Sequence, residues 1–454
     1  MKAPSDLAAE SRPVASGLPA AGRRLGLLSL VCVMYLVISG GPYGMEDAVG
    51  LAGPRLVLLL CLLVPLSLSL PTALMAAELT ALMPLEGGFY FWVKAALGPF
   101  AGFAEAYLTI LYTAVDTAIY PVLFATYAAF LLPIGTRGQL ALGIAMVWVS
   151  GGLNAMGVRP VGRVSVLLAA LLIAPFAALI VIGFPRLLHL QLPPQTFARG
   201  DLLPALGGAL TIVIWNFGGW ENLSVVAGEI DQPRRNYLRA IMIVVPAVAL
   251  GYLLPLAVCL SGATSGAGWR SGSFADQGLR IGGPLLGAAI GIGGAVSSFA
   301  VFEAAMLWVS RMPFVLSRER YLPDFLGTIS SRRAIPGRSI LLCCIIFTLL
   351  VPFGFVMLVV LDVFFYMMAL VLEMWALIRL RRLYPRREGL FVIGGGRAGL
   401  YAIAGAPLLT WIATFGVAVS QNASDLVIAL ALAACVWPCY ALLRRRYGGP
   451  SGHV

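Results

Sequence analysis

The sequence predicts an all-α polytopic membrane protein with twelve transmembrane helices, and three observations carry that prediction. Of 454 residues, 60% are hydrophobic and 11% charged, with a mean hydropathy of +0.92; a soluble domain carries roughly a quarter charged residues. The apolar residues gather in runs of about 20, each long enough to cross a bilayer as a helix. The basic residues are sorted: with the N-terminus in the cytoplasm, 25 of the 31 Lys and Arg fall in cytoplasmic segments. Retention of positive charge on that side marks membrane insertion. The net charge of +11 is therefore topological and does not call for a nucleic-acid partner.

In chain order the spans are expected at 25–52, 56–82, 100–132, 139–156, 162–184, 203–228, 239–261, 284–316, 339–356, 358–380, 398–420 and 424–443. Residues 1–24 read as a cytoplasmic N-terminal tail, and 444–454 as a cytoplasmic C-terminal tail. No small-x-small cleavage site accompanies the run behind Arg23-Arg24, so that run reads as an uncleaved first helix. The expected location is the plasma or inner cell membrane, multi-pass, with the lipid bilayer as partner. All seven cysteines fall inside apolar spans and read as small core residues. The only two histidines, His189 and His453, are far apart in sequence, so neither a metal site nor a cofactor is expected. Nothing in the pattern speaks to oligomeric state.

The first span is interrupted at Ser39–Asp47, Ser-Gly-Gly-Pro-Tyr-Gly-Met-Glu-Asp, where three glycines and a proline break the helix. A second interruption, Trp215–Asn222, lies inside the sixth span, again with Gly-Gly followed shortly by Glu. Broken backbone at membrane depth is tolerated where it is buried in protein or lines a watery cavity. Paired breaks in corresponding places point to a transporter site made of half-helix ends.

Four further stretches carry a resemblance. The run Ala77–Trp92 has the form AEL-x4-P-x2-GG-x-Y-x-W; Glu229 and Pro233 form an E-x-x-x-P element; and RxRYLP begins at Arg318. The wording SGGPYGMEDAV at Ser39–Val49, YPVLF at Tyr120–Phe124 and GWENLSVVAGE at Gly219–Glu229 is similar to the polyamine/amino acid permease branch known from plants. Together these motifs resemble the amino acid–polyamine–organocation (APC) superfamily over roughly residues 25–440. The resemblance implies a LeuT-type 5+5 inverted repeat with broken helices 1 and 6. The first five-helix repeat would be 25–184, the second, inverted repeat 203–380, and 398–443 two accessory helices.

A carboxylate at membrane depth is costly and is a functional hypothesis by default. The candidates are Glu46, Asp47, Glu105, Asp116, Glu221, Glu303, Asp362 and Glu373, and the spans hold almost no Lys or Arg to match them. Unpaired, such acids either hold a proton or meet a cation from outside. Glu221 reads as a contact for a substrate ammonium or as a proton-transfer group, against a helix-capping acid. Glu303 reads as a substrate or coupling acid, against an interhelical hydrogen bond to Ser297 or Tyr side chains. Asp116 shares a helix face with Tyr120 and reads either as a ligand contact or as a structural bond. Glu46 and Asp47 are balanced against capping, while Glu105, Asp362 and Glu373 read as mainly structural.

Amides around Gly41–Met45 would face an anionic group such as an amino acid carboxylate, and carbonyls of Asn216–Gly219 would accept from an ammonium. The expected substrate-binding set is Ser39, Gly40, Gly41, Tyr43, Gly44, Asp116, Tyr120, Asn216, Phe217, Gly218, Gly219, Trp220, Glu221 and Glu303. Coupling candidates are Glu221, Glu303, Ser297 and Ser298, the two serines standing at the family's sodium position by resemblance. Some proton-coupled relatives place a Lys in helix 5, which is missing between Val164 and Phe184.

The expected function is secondary transport of amino acids or polyamines by alternating access, as proton-coupled uptake ahead of sodium. The alternative is a substrate/product exchanger of the same fold. A major-facilitator carrier would put a G-x3-D-R-x-G-R-R type run where PLEGGFYFW stands. An enzyme would need a cluster of nucleophile and base or of metal ligands, and none is visible.

Overall fold

The computed structural model describes residues 26–85, 88–156, 163–189, 191–192, 202–224, 230–261, 268–318, 322–328, 335–384, 389–421 and 423–447. The expected N-terminal tail, residues 448–454 of the expected C-terminal tail, Glu229 and residues 319–321 of the RxRYLP run lie outside the described residues, while 444–447 of the expected tail continue the last helix. Among those described, eight helices are long and apolar enough to cross a membrane, and three shorter apolar helices lie at Leu172–Leu188, Gly337–Phe353 and Val427–Leu443. The chain is a nearly all-helical, multi-pass membrane protein.

Helix α1 (Leu27–Ile38) stops at Ser39, and α2 begins at Met45. The glycines explain the gap: Gly41 and Gly44 take φ of 87° and 90°, values that side chains with a Cβ rarely adopt. The expected loop between the first two spans is absent. Gly53, at φ 75° and ψ 168°, turns the chain in one residue, and Pro54 begins the next helix at a position where no N–H is needed. The helix then continues as α2 to Leu82, with one π-helical stretch at Pro65–Ser69. That stretch turns Ser69 toward the second break, where its hydroxyl donates to the Phe217 carbonyl at 2.8 Å.

Next come α3 (Gly88–Leu97), α4 (Pro99–Leu131), α5 (Thr136–Met156), α6 (Arg163–Leu188), α7 (Leu202–Phe217) and α8 (Pro233–Leu260). They are followed by α9 (Ser273–Val309), α10 (Arg311–Arg318), α11 (Gly337–Leu350), α12 (Phe355–Leu383), α13 (Gly396–Gln421), α14 (Ala423–Ala434) and α15 (Val436–Tyr447). The eighth expected span, 284–316, is longer at its start and ends sooner. Ser273–Gly282 is already helical, although Asp276, Gln277 and Arg280 gave it the composition of a loop. The twelfth expected span is split at Cys435 into α14 and α15.

The Gly-Pro junction seen at Gly53-Pro54 recurs at two further places. Short helix α3 meets long helix α4 at Gly98-Pro99, and the start of α9 meets its long remainder at Gly283-Pro284. Gly98 has φ 97° and ψ 177°, Gly283 φ 80° and ψ −174°, a region of backbone space essentially reserved for glycine.

The long helix α4 is the centre of the bundle, packing on α9 and α12, while α2 packs on α7 and α6 on α9. The motif acid Glu78 ties the periphery together. Its carboxylate accepts from Arg381 Nε at 2.8 Å and from the Ile393 amide at 2.8 Å, linking α2 to the end of α12. Trp92 of the same motif donates its indole N–H to the Met83 carbonyl at 3.3 Å and closes the intervening turn.

Candidate functional site

The two breaks meet around one central cavity of about 90 Å³, room for several waters or one small ligand. Its wall takes Gly40, Gly41 and Tyr43 from the first break and Asn216, Gly218 and Gly219 from the second. Asp116 and Tyr120 of α4 and Ser297 and Ser298 of α9 complete the expected residues found there.

Asp116 is held in place from two sides. Trp215 donates its indole N–H to Oδ1 at 2.9 Å, and the Tyr120 hydroxyl lies 3.3 and 3.4 Å from the two carboxylate oxygens. One turn of α4 separates Asp116 from Tyr120, so the pair shares a face as the spacing implies. Asp362 of α12 reaches the same cavity, and one of its carboxylate oxygens has no hydrogen-bond partner. Among the described lining residues there is no Lys, Arg or His. Two acids therefore face a small cavity walled by Tyr43, Tyr112, Tyr252, Tyr366 and Trp215.

The amides of the first break are already engaged. Gly44 N–H donates to Glu46 Oε2 at 2.7 Å and lies 3.3 Å from the Tyr127 hydroxyl, which itself donates to Glu46 Oε1 at 2.7 Å. Gly41 N–H lies 3.3 Å from Ser39 Oγ, and Met45 N–H donates to the Pro42 carbonyl at 3.2 Å. Glu46 is thus the chain's own carboxylate at the start of α2, where orphan amides and the helix dipole favour an anion. The same carboxylate accepts from the amides of Gly272 and Phe274, and Ser271 donates its hydroxyl to Asp47. Both acids fasten the segment before α9 to the first break. Ser297 Oγ donates to the Gly40 carbonyl at 3.1 Å and Tyr43 OH to the Ile290 carbonyl at 3.0 Å, so α9 braces the break along its length.

The second break leaves its carbonyls partly used. Phe217 O accepts from Ser69 and, at 2.8 Å, from the Trp220 indole; Trp220 O accepts from Tyr237 OH at 3.0 Å. Gly219 N–H donates to Tyr366 OH at 2.9 Å, and that hydroxyl donates to Glu221 Oε2 at 3.2 Å.

Several expected residues lie off the cavity. Ser39, Gly44, Phe217 and Trp220 are buried behind it as supports, each already bonded or packed. Glu221 sits behind Tyr366 rather than in the wall. Glu303 faces α5, where Asn154 donates to its Oε2 at 2.7 Å, and not the cavity; the partner is Asn154 where Ser297 or a Tyr side chain was expected. The amides at 41–45, expected to receive a ligand's anionic group, are largely satisfied by the protein itself. Asp362, Tyr112, Tyr252, Tyr366 and Asn222 enter the wall without having been expected there. For Asp362 the signal was present, a lone acid in an apolar helix, but its distance in sequence from either break hid its place.

The chain matches a family of known proteins over most of its length. The family model described as amino acid permease matches residues 25–441. A probable polyamine transporter of Arabidopsis thaliana is 31% identical over 83% of this chain and 76% of its own length. Polyamine transporter PUT1 of Oryza sativa subsp. japonica is 31% identical over 86% of this chain and 73% of its own. The mouse Asc-type amino acid transporter 1 is 26% identical over 59% and 53%.

Proposed function

This chain belongs to the amino acid permease family, a family of transporters and not of enzymes, and on that premise we propose that it carries small amine cations, polyamines ahead of amino acids, by alternating access around the central cavity. The observation that carries the reading is the pairing of Asp116 and Asp362 in a cavity whose described wall has no basic residue. A buried carboxylate, Asp362, beside a half-buried one, Asp116, calls for positive charge from the ligand, and the surrounding tyrosines and Trp215 offer ring faces to an ammonium. A ligand carboxylate, in contrast, would find the amides of Gly41, Gly44 and Met45 occupied. The relatives bearing polyamine-transporter names point the same way.

The proposal includes twelve spans in a LeuT-type inverted repeat, 25–184 and 203–380, with both termini cytoplasmic in the plasma or inner membrane. Of the three Gly-Pro junctions, those at Gly98 and Gly283 open the third and eighth expected spans, corresponding places in the two halves, and support the repeat, and the sorting of Lys and Arg supports the orientation. Proton coupling belongs to the same proposal.

Vesicles reconstituted with the purified protein test it. They should accumulate labelled putrescine above protein-free vesicles, and unlabelled spermidine should compete. Uptake that appears only when the vesicles are preloaded with substrate would favour the obligatory exchanger. Vesicles that take up neutral amino acids but no amine cation would overturn the reading.

A further inference from the structure

Behind Tyr112 and Tyr366, which line the cavity, three glutamates converge from three elements. Glu105 of α4, Glu221 of the second break and Glu373 of α12 are 0%, 1% and 3% exposed. The carboxyls of Glu105 and Glu373 lie side by side, and Glu221 is close enough to act on both. Both oxygens of Glu105, Oε1 of Glu221 and Oε2 of Glu373 have no hydrogen-bond partner among the described residues. The buried Thr109 hydroxyl, one turn from Glu105, faces the same acids.

The other groups facing the trio are Tyr112 of α4, Tyr366 of α12 and Tyr237 of α8. The basic groups of neighbouring elements are engaged elsewhere. Lys94 lies 5.7 Å from the Tyr90 ring centre, Arg381 is paired with Glu78, and Arg379 and Arg382 are exposed. Two ionised carboxylates side by side, buried and without a cation, would each be costly to take from water and would repel one another. A shared proton relieves both, with one carboxyl donating its O–H to the other.

We propose that the Glu105–Glu373 pair is a proton-binding site, and that an amine cation entering the cavity drives its proton off. The link is short: Gly219 N–H at the cavity wall donates to Tyr366 OH, and Tyr366 OH donates to Glu221 beside the pair. Positive charge in the cavity favours ionised acids behind it, and a proton on those acids disfavours the cation; the coupling is reciprocal. In the step, the carboxyl O–H bond breaks, its electrons stay on oxygen, and the proton passes to water as the carrier opens. Amine and proton then exclude one another, which is the logic of exchange rather than of the uptake with a proton expected from the sequence. The proposal rests on the amine-carrier reading above.

Calorimetric titration of putrescine into purified protein, in two buffers of different ionisation enthalpy, counts the protons released per amine bound. Any protons released from Asp116 and Asp362 are common to wild type and variant, so the readout is the difference between the two. Glu373→Gln and, separately, Glu105→Gln should each still bind putrescine while releasing about one proton fewer. An unchanged proton count in both variants, with binding intact, overturns this proposal alone. A wild type that binds no putrescine in either buffer overturns the transport reading and this proposal with it.

Discussion

Replacing Asp116 by asparagine removes one charge from the cavity and little else. Asn keeps an oxygen for the Trp215 indole N–H at 2.9 Å, and the Tyr120 hydroxyl, 3.3 Å away, turns from donor to acceptor. What is lost is the attraction for a ligand ammonium. At an effective dielectric of about 20, a charge pair 4 Å apart is worth about 4 kcal/mol. Water in the cavity and the remaining Asp362 reduce that to about 1.5–3 kcal/mol, the range for hydrogen bonds to a charged group. The dissociation constant for putrescine should therefore rise about 10- to 150-fold, with the melting curve close to wild type. Isothermal titration of the detergent-purified protein measures it. Binding within about twofold of wild type, in a folded protein, would refute the role of this carboxylate.

Two further substitutions probe the frame around the cavity. Glu78→Gln leaves Arg381 without its buried counter-charge and weakens the acceptor for the Ile393 amide; a loss of about 3 kcal/mol or more should appear as a clear fall in the thermal midpoint and in folded yield. Gly98→Ala and Gly283→Ala meet no atom within 4 Å, so any cost is conformational, about 1–3 kcal/mol each, and similar melting losses for the two would match the similarity of the two junctions. A tolerated alanine at either site would contradict it.

The breaks themselves were legible because glycine and proline cannot hold a helix, and Gly41, Gly44 and Gly219 do take left-handed φ. The pairing of Asp116 with Tyr120 was legible from helical spacing alone. The destination of the other acids was not, since it depends on residues far away in sequence. Glu46 meets Tyr127 and the amides of 272 and 274, and no local pattern announces them. Helix α12 is apolar on every side, so nothing in its sequence marks which face carries Asp362 into the cavity and Glu373 behind it. Glu303 lies on a helix equally apolar around its axis and turned out to face Asn154. Composition failed at Ser273–Gly282, where three polar residues masked a helix.

The central claim is that the cavity receives positive charge through two aspartates and offers no place for a carboxylate. Ornithine is putrescine carrying one added carboxylate, so the matched pair isolates that group. Measured side by side on the purified protein, putrescine should bind at least about tenfold more tightly than ornithine. Equal or tighter binding of ornithine would contradict the claim.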